Sequence, residues 1–179
     1  MSRIKYHRII LWRLVLLLFA ASIMFFNLIP FTLAPTALPM PDILFCVTYA
    51  LIIRRPEVVP FWLIFLIFFS FDIFLTRPLG VWTACVLVST EVLRANRDAF
   101  MENLFPFEWF YLSLMFLITL LLNKIILTVA FTPAPTFANM AWEFIFTVLP
   151  YPLIIFIITY ILRIKKPALG AFGVKGHKA

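Results

Sequence analysis

Glycine, histidine, cysteine and charge are all scarce in this chain, and each shortage argues against a class of function. There are four glycines in 179 residues, too few for a glycine-rich phosphate loop. Only Gly80 falls in an apolar run, so GxxxG-type close helix contact is absent. The two histidines, His7 and His177, sit in the two tails, and no CxxC or HExxH spacing occurs, which speaks against a metal centre. Cys46 and Cys85 lie inside apolar runs and read as small apolar filler. No serine, histidine and acid are spaced as a triad, so the chain reads as a protein without catalysis and without a cofactor. Charged residues make up 13% of the chain, about half the ~25% usual in soluble domains.

What fills the chain instead is hydrophobic: 64% of it, including 22 phenylalanines. A chain of this length cannot hide so much apolar surface from water, so lipid is its solvent. The net charge of +7 then reflects membrane topology and anionic lipid headgroups. No basic groove with interleaved aromatics is present, which excludes nucleic acid as a partner.

Six apolar segments can be drawn: Ile9–Ile29, Asp42–Ile53, Val58–Thr76, Pro78–Leu93, Phe107–Leu127 and Trp142–Leu162. A full crossing takes about 20 residues. The second segment is short and follows the proline-rich "PFTLAPTALPMP" (30–41). Charge arithmetic decides whether it counts. With six spans and the N-terminus inside, 13 Lys and Arg fall inside and 2, Arg77 and Lys124, outside. Without the second span the split becomes 6 inside and 9 outside. The expected fold is therefore all-α and integral to the membrane, a single domain over 1–162 with six spans and both termini cytoplasmic. The first segment reads as an uncleaved anchor. The 163–179 tail is basic and glycine-containing and reads as flexible. Pro150 and Pro152 should kink the sixth span. The loop at 132–140 reads as extended, and the segment at 91–103 as interfacial.

Polar residues are few enough to weigh singly. Asp72 stands in "FFSFDIFLTRPLG" (68–80), about 21 Å along the third span at 1.5 Å per residue. A charge at the bilayer centre costs at least ~2.5–3.5 kcal/mol. The helix neighbours of Asp72 are Phe65, Phe68, Phe69, Leu75 and Thr76, so no wet stripe leads to it. A helix-pinning contact is therefore favoured over an ion or proton pathway. The partners within sequence reach are Lys124, Asn123 and an Arg77 folded back by the break at Pro78. With Asp42 and Glu143, these residues form an expected hydrogen-bonded cluster at the outer ends of the helices. Asp42 and Glu143 also fit helix N-termini, where anions are favoured. On the inner side "RRPE" (Arg54, Arg55, Pro56, Glu57) reads as a short charged turn that fixes topology.

The run "PDILFCVTYALIIRRPEVVPFWLIFLIFFSFDIFLTRPLGVWT" resembles the core of the bacterial rod shape-determining protein MreD family. The shared features are Pro41–Asp42 opening a short helix, the Arg54–Arg55–Pro56 turn, Asp72 ending a helix, and the Pro78–Leu79–Gly80 turn. They cover about a quarter of the chain; the rest agrees in hydropathy. Where the family carries small residues before the Asp, this chain has Phe68, Phe69 and Ser70, so close packing of that face is not implied. The resemblance implies a scaffold of the bacterial inner membrane. It would bind the bitopic protein MreC and connect the MreB cytoskeleton to the wall synthases RodA and the transpeptidase PBP2. The family fold is also similar to the six-helix substrate-binding subunits of energy-coupling-factor transporters. That similarity gives a second reading, a membrane subunit that binds a vitamin-type small molecule.

Overall fold

The computed structural model describes residues 2–28, 40–97, 100 and 105–161, and among them the regular structure is entirely helical. In chain order the helices are α1 (Ser2–Leu28), α2 (Ile43–Arg54), α3 (Phe61–Phe74), α4 (Val81–Ala95), α5 (Phe105–Val129), α6 (Phe137–Val148) and α7 (Tyr151–Phe156). A π-helical turn, Ile157–Ile161, continues α7. Among the described residues, three stretches are long and apolar enough to cross a membrane: His7–Leu28, Phe105–Val129 and Phe137–Tyr160. The chain thus has the character of a membrane protein. Most of the proline-rich stretch at 30–41, the end of the 91–103 segment and the tail at 163–179 lie outside the described residues.

The other three helices are short. α2, α3 and α4 have 12, 14 and 15 residues, about 18–23 Å at 1.5 Å per residue, against ~30 Å of hydrocarbon. The expected third span loses its first turn because Pro60 is the N-cap of α3 and the chain at 55–60 is irregular. The fourth begins at Val81 instead of Pro78, because Gly80 at φ 79° is its N-cap. Hydropathy marks what can be buried, whereas proline and glycine decide where the helix begins.

A short helix at membrane depth needs protein around it, and α2 has that. From Leu44 to Arg54 every residue except Val47 is buried. α2 packs against α4, α6 and α7, α4 lies against α3 and α5, and α1 lies along α3. The centre is aromatic: Phe45 meets Phe116 at 4.9 Å and Tyr49 at 5.3 Å between centroids, and Trp82 sets its edge on Phe116 at 6.4 Å. Such pairs add about 0.5–1.5 kcal/mol each beyond area burial. The outer faces stay apolar, with Leu18, Phe110 and Leu153 more than half exposed, as suits a surface turned to lipid.

The start of α6 differs from the sequence expectation. α6 starts at Phe137, not Trp142, because the Thr136 hydroxyl accepts from the Asn139 N–H at 3.3 Å. Part of the expected loop at 132–140 is therefore helix. Glu143 consequently lies inside α6 and does not cap it. The proline effect is as the residues imply: α6 stops at Val148 and α7 resumes at Tyr151, with Pro150 between them and Pro152 in the first turn.

Candidate functional site

Asp72 is the hub of the α3–α4 hairpin. α3 ends in a Schellman turn: the Arg77 N–H donates to the Asp72 carbonyl at 3.1 Å and the Thr76 N–H to the Ile73 carbonyl at 3.4 Å. Thr76 occupies the left-handed position at φ 52°, which usually falls to glycine. The Asp72 side chain then reaches across to the start of α4. Its Oδ2 accepts from the Gly80 N–H at 3.1 Å, the Thr83 N–H at 3.2 Å and the Thr83 hydroxyl at 2.6 Å. Gly80 has no side chain with which to cap α4, so Asp72 supplies the acceptor from the previous helix. The carboxylate also faces the positive end of the α4 dipole. These bonds explain how Asp72 can be fully buried in an apolar run.

The expected shared cluster therefore divides. None of the Arg77, Asn123 or Lys124 side chains is the partner of the Asp72 carboxylate. Lys124 instead sets its ammonium over the Phe137 ring, 3.1 Å from the centroid. Arg77 lies over Trp82 at 5.7 Å. Arg77, Pro78, Trp82, Asn123 and Glu143 line a cavity of about 180 Å³, so three of the six polar residues do converge there. Asp42 caps α2: its Oδ1 accepts from the Phe45 N–H at 2.9 Å, and its own N–H donates to the Thr147 hydroxyl at 3.0 Å. Asp42, Arg77 and Glu143 remain within electrostatic reach of one another, and the helix geometry sets Asp72 and Lys124 apart from them. Asp72 faces α4, while Arg77, beyond the Schellman turn, faces α5 and α6.

The "RRPE" turn also differs from the expectation. Arg54 is the last residue of α2, 4% exposed, and pairs with Glu108 of α5, 1% exposed, at 2.7 Å. The Tyr151 hydroxyl donates to the same Glu108 oxygen at 2.7 Å. The Arg54 guanidinium folds back along its own helix toward the Ala50 carbonyl, 3.4 Å away. Arg54 is thus a buried ion-pair residue joining α2, α5 and α7. Arg55 and Glu57 are exposed. The Glu57 carbonyl accepts from Arg13 of α1 at 2.8 Å. Arg94 and Arg97 tie the end of α4 to the Val59 and Ile53 carbonyls at 2.9 and 3.1 Å. These arginine contacts gather the basic residues at the end of the bundle opposite Arg77.

Thr83, Glu108 and Tyr151 carry the polar architecture and were not singled out from the sequence. Thr83 had a signal: it stands three residues after Gly80, the N3 position of a capped helix. Glu108 had one too, as a lone acid in the first turn of an apolar helix. Tyr151 had none beyond following Pro150.

In chemical terms the arrangement holds helices and offers a small polar recess. Among the described residues, no group of three His, Cys, Asp or Glu could hold a metal ion. Comparison with protein-family models, with curated proteins and with solved structures finds no match for this chain.

Proposed function

We propose that this protein is a non-catalytic, six-span scaffold of the bacterial inner membrane, of the MreD type, with both termini cytoplasmic. In this reading it binds MreC and links the MreB cytoskeleton to RodA and PBP2 during lateral wall growth. The observation that supports it most is where the family-like residues fall. Pro41–Asp42, Arg54–Arg55–Pro56, Asp72 and Pro78–Leu79–Gly80 are the cap, the turn and the hairpin lock of α2, α3 and α4. The resemblance thus follows the architectural core. Large outward apolar faces suit a protein that works by contact inside the membrane. The test is depletion together with affinity purification from a gentle detergent. Rounded cells and a co-purifying bitopic partner are expected. Normal shape with unaltered wall insertion would refute the scaffold.

One observation favours the transporter-subunit reading: Arg77, Asn123 and Glu143 converge on a cavity. Its volume of about 180 Å³ is below the ~300–1,000 Å³ of typical ligand sites, which ranks this reading second. A vitamin bound at nanomolar affinity would reverse the order.

A further inference from the structure

Helix α2 is covered on all sides but one. Its open stripe carries half-buried Ile43 and Val47, and the groove continues one turn on over the buried Leu51. The stripe is the floor of a groove of about 320 Å³, walled by Trp12, Val15, Leu16 and Phe19 of α1 and by Ile154 and Ile158 of the last helix. Every residue lining it is hydrophobic. It runs along about eight residues of α2, roughly 12 Å at 1.5 Å per residue.

One end of the groove is cationic. Arg8 lies four residues before Trp12, so it continues the same face of α1 by one turn, and it is exposed. Arg13 follows Trp12, and its guanidinium is held against Glu57, next to the lining residue Val58, by the 2.8 Å bond to the Glu57 carbonyl. The buried Arg13 Nε–H has no hydrogen-bond partner among the described residues. Arg55 is exposed one turn beyond Leu51, to whose carbonyl its N–H donates at 2.6 Å. In the turn at 55–60, Glu57 is the sole acid. Three cations thus stand against one carboxylate at the foot of an apolar slot.

We propose that this groove is a specific site for an anionic phospholipid, with one acyl chain along Val47 and Leu51 and the phosphate among Arg8, Arg13 and Arg55. The charge order, cationic foot and apolar shaft, matches a lipid. The site depends on membrane residence and not on the scaffold reading.

Native mass spectrometry of the full chain in detergent, titrated with phosphatidylglycerol and with phosphatidylcholine of the same chains, tests the site. One molecule of phosphatidylglycerol should bind in preference to phosphatidylcholine. Arg8→Gln with Arg55→Gln removes two cations that make no packing contact in the groove. The pair should weaken phosphatidylglycerol roughly 25-fold, about fivefold per charge, and leave phosphatidylcholine unchanged. Val47→Phe fills the shaft and should weaken both lipids, with thermal unfolding in the absence of lipid confirming that each variant is folded. Equal binding of the two lipids by the unaltered chain overturns the proposal. So does a Val47→Phe protein that is folded and binds as before. A photoreactive side chain at position 47 that captures a polypeptide in cells, and no lipid, overturns it as well.

Discussion

Asp72 separates two physical roles that a single substitution does not. If it caps α4, what matters is an acceptor oxygen in the right place. If it were the counter-ion of a buried cation, what would matter is its charge. Asp72→Leu removes the acceptor and strands the Gly80 and Thr83 N–H groups, which Oδ2 holds at 3.1 and 3.2 Å. Each orphaned buried donor costs about 1–3 kcal/mol, so roughly 2–6 kcal/mol is expected. Asp72→Asn keeps one acceptor oxygen and places its amide where Oδ1 has no hydrogen-bond partner among the described residues. Asparagine caps about as well as aspartate, and the change should stay within about 1 kcal/mol. Thr83→Val deletes the 2.6 Å hydroxyl bond and should cost about 1.5–3 kcal/mol, as bonds to a charged group do. Equilibrium unfolding in detergent micelles, followed by helical circular dichroism, measures all three. The order expected is Asn mildest, then Val, then Leu. An Asn variant as damaged as the Leu variant would refute the capping account and return the search to a cationic partner. A harmless Leu variant would refute both.

The other expectations follow from the same geometry. Glu108→Ala leaves Arg54 buried without its 2.7 Å partner and should cost about 3–5 kcal/mol. The double change Arg54→Met with Glu108→Leu should recover the part due to Arg54 and leave about 1–3 kcal/mol for the buried Tyr151 hydroxyl deprived of its acceptor, read in the same unfolding assay. Thr76→Gly relieves a left-handed threonine at φ 52° and should stabilise by about 0.5–1 kcal/mol. Gly80→Ala should cost about 1–2 kcal/mol through its φ of 79° alone, since nothing lies within 4 Å of an added Cβ. Topology is open to single-cysteine labelling in a Cys46→Ala, Cys85→Ala background. Under the six-span reading Arg77→Cys reacts with an impermeant maleimide in intact cells, and Lys178→Cys reacts only after permeabilisation.

Residue order by itself determined what depends on local chemistry. An apolar content of 64% imposes lipid as solvent, because no packing of 179 residues could cover that surface. Asp42 before an apolar run is the N-cap of α2, because a cap needs only a neighbouring N–H three residues on. The break between α6 and α7 follows from Pro150, which lacks the N–H that a continuous helix would use there. The start of α6 escaped because hydropathy begins at Trp142 while a hydroxyl at Thr136 starts the helix earlier.

Tertiary structure alone decided which polar groups meet. Asp72 lies within sequence reach of two cations, Arg77 and Lys124, and it was the packing of the α3–α4 hairpin that turned it to Thr83 instead. Arg54 reads as a topology charge until α5 and α7 bring Glu108 and Tyr151 to it from 54 and 97 positions away. Charge and hydropathy report the cost of burying a group, but they do not report who shares that cost. The sharing is settled only when helices pack, since a buried guanidinium or carboxylate is stable only beside the donor or acceptor that a distant helix carries in.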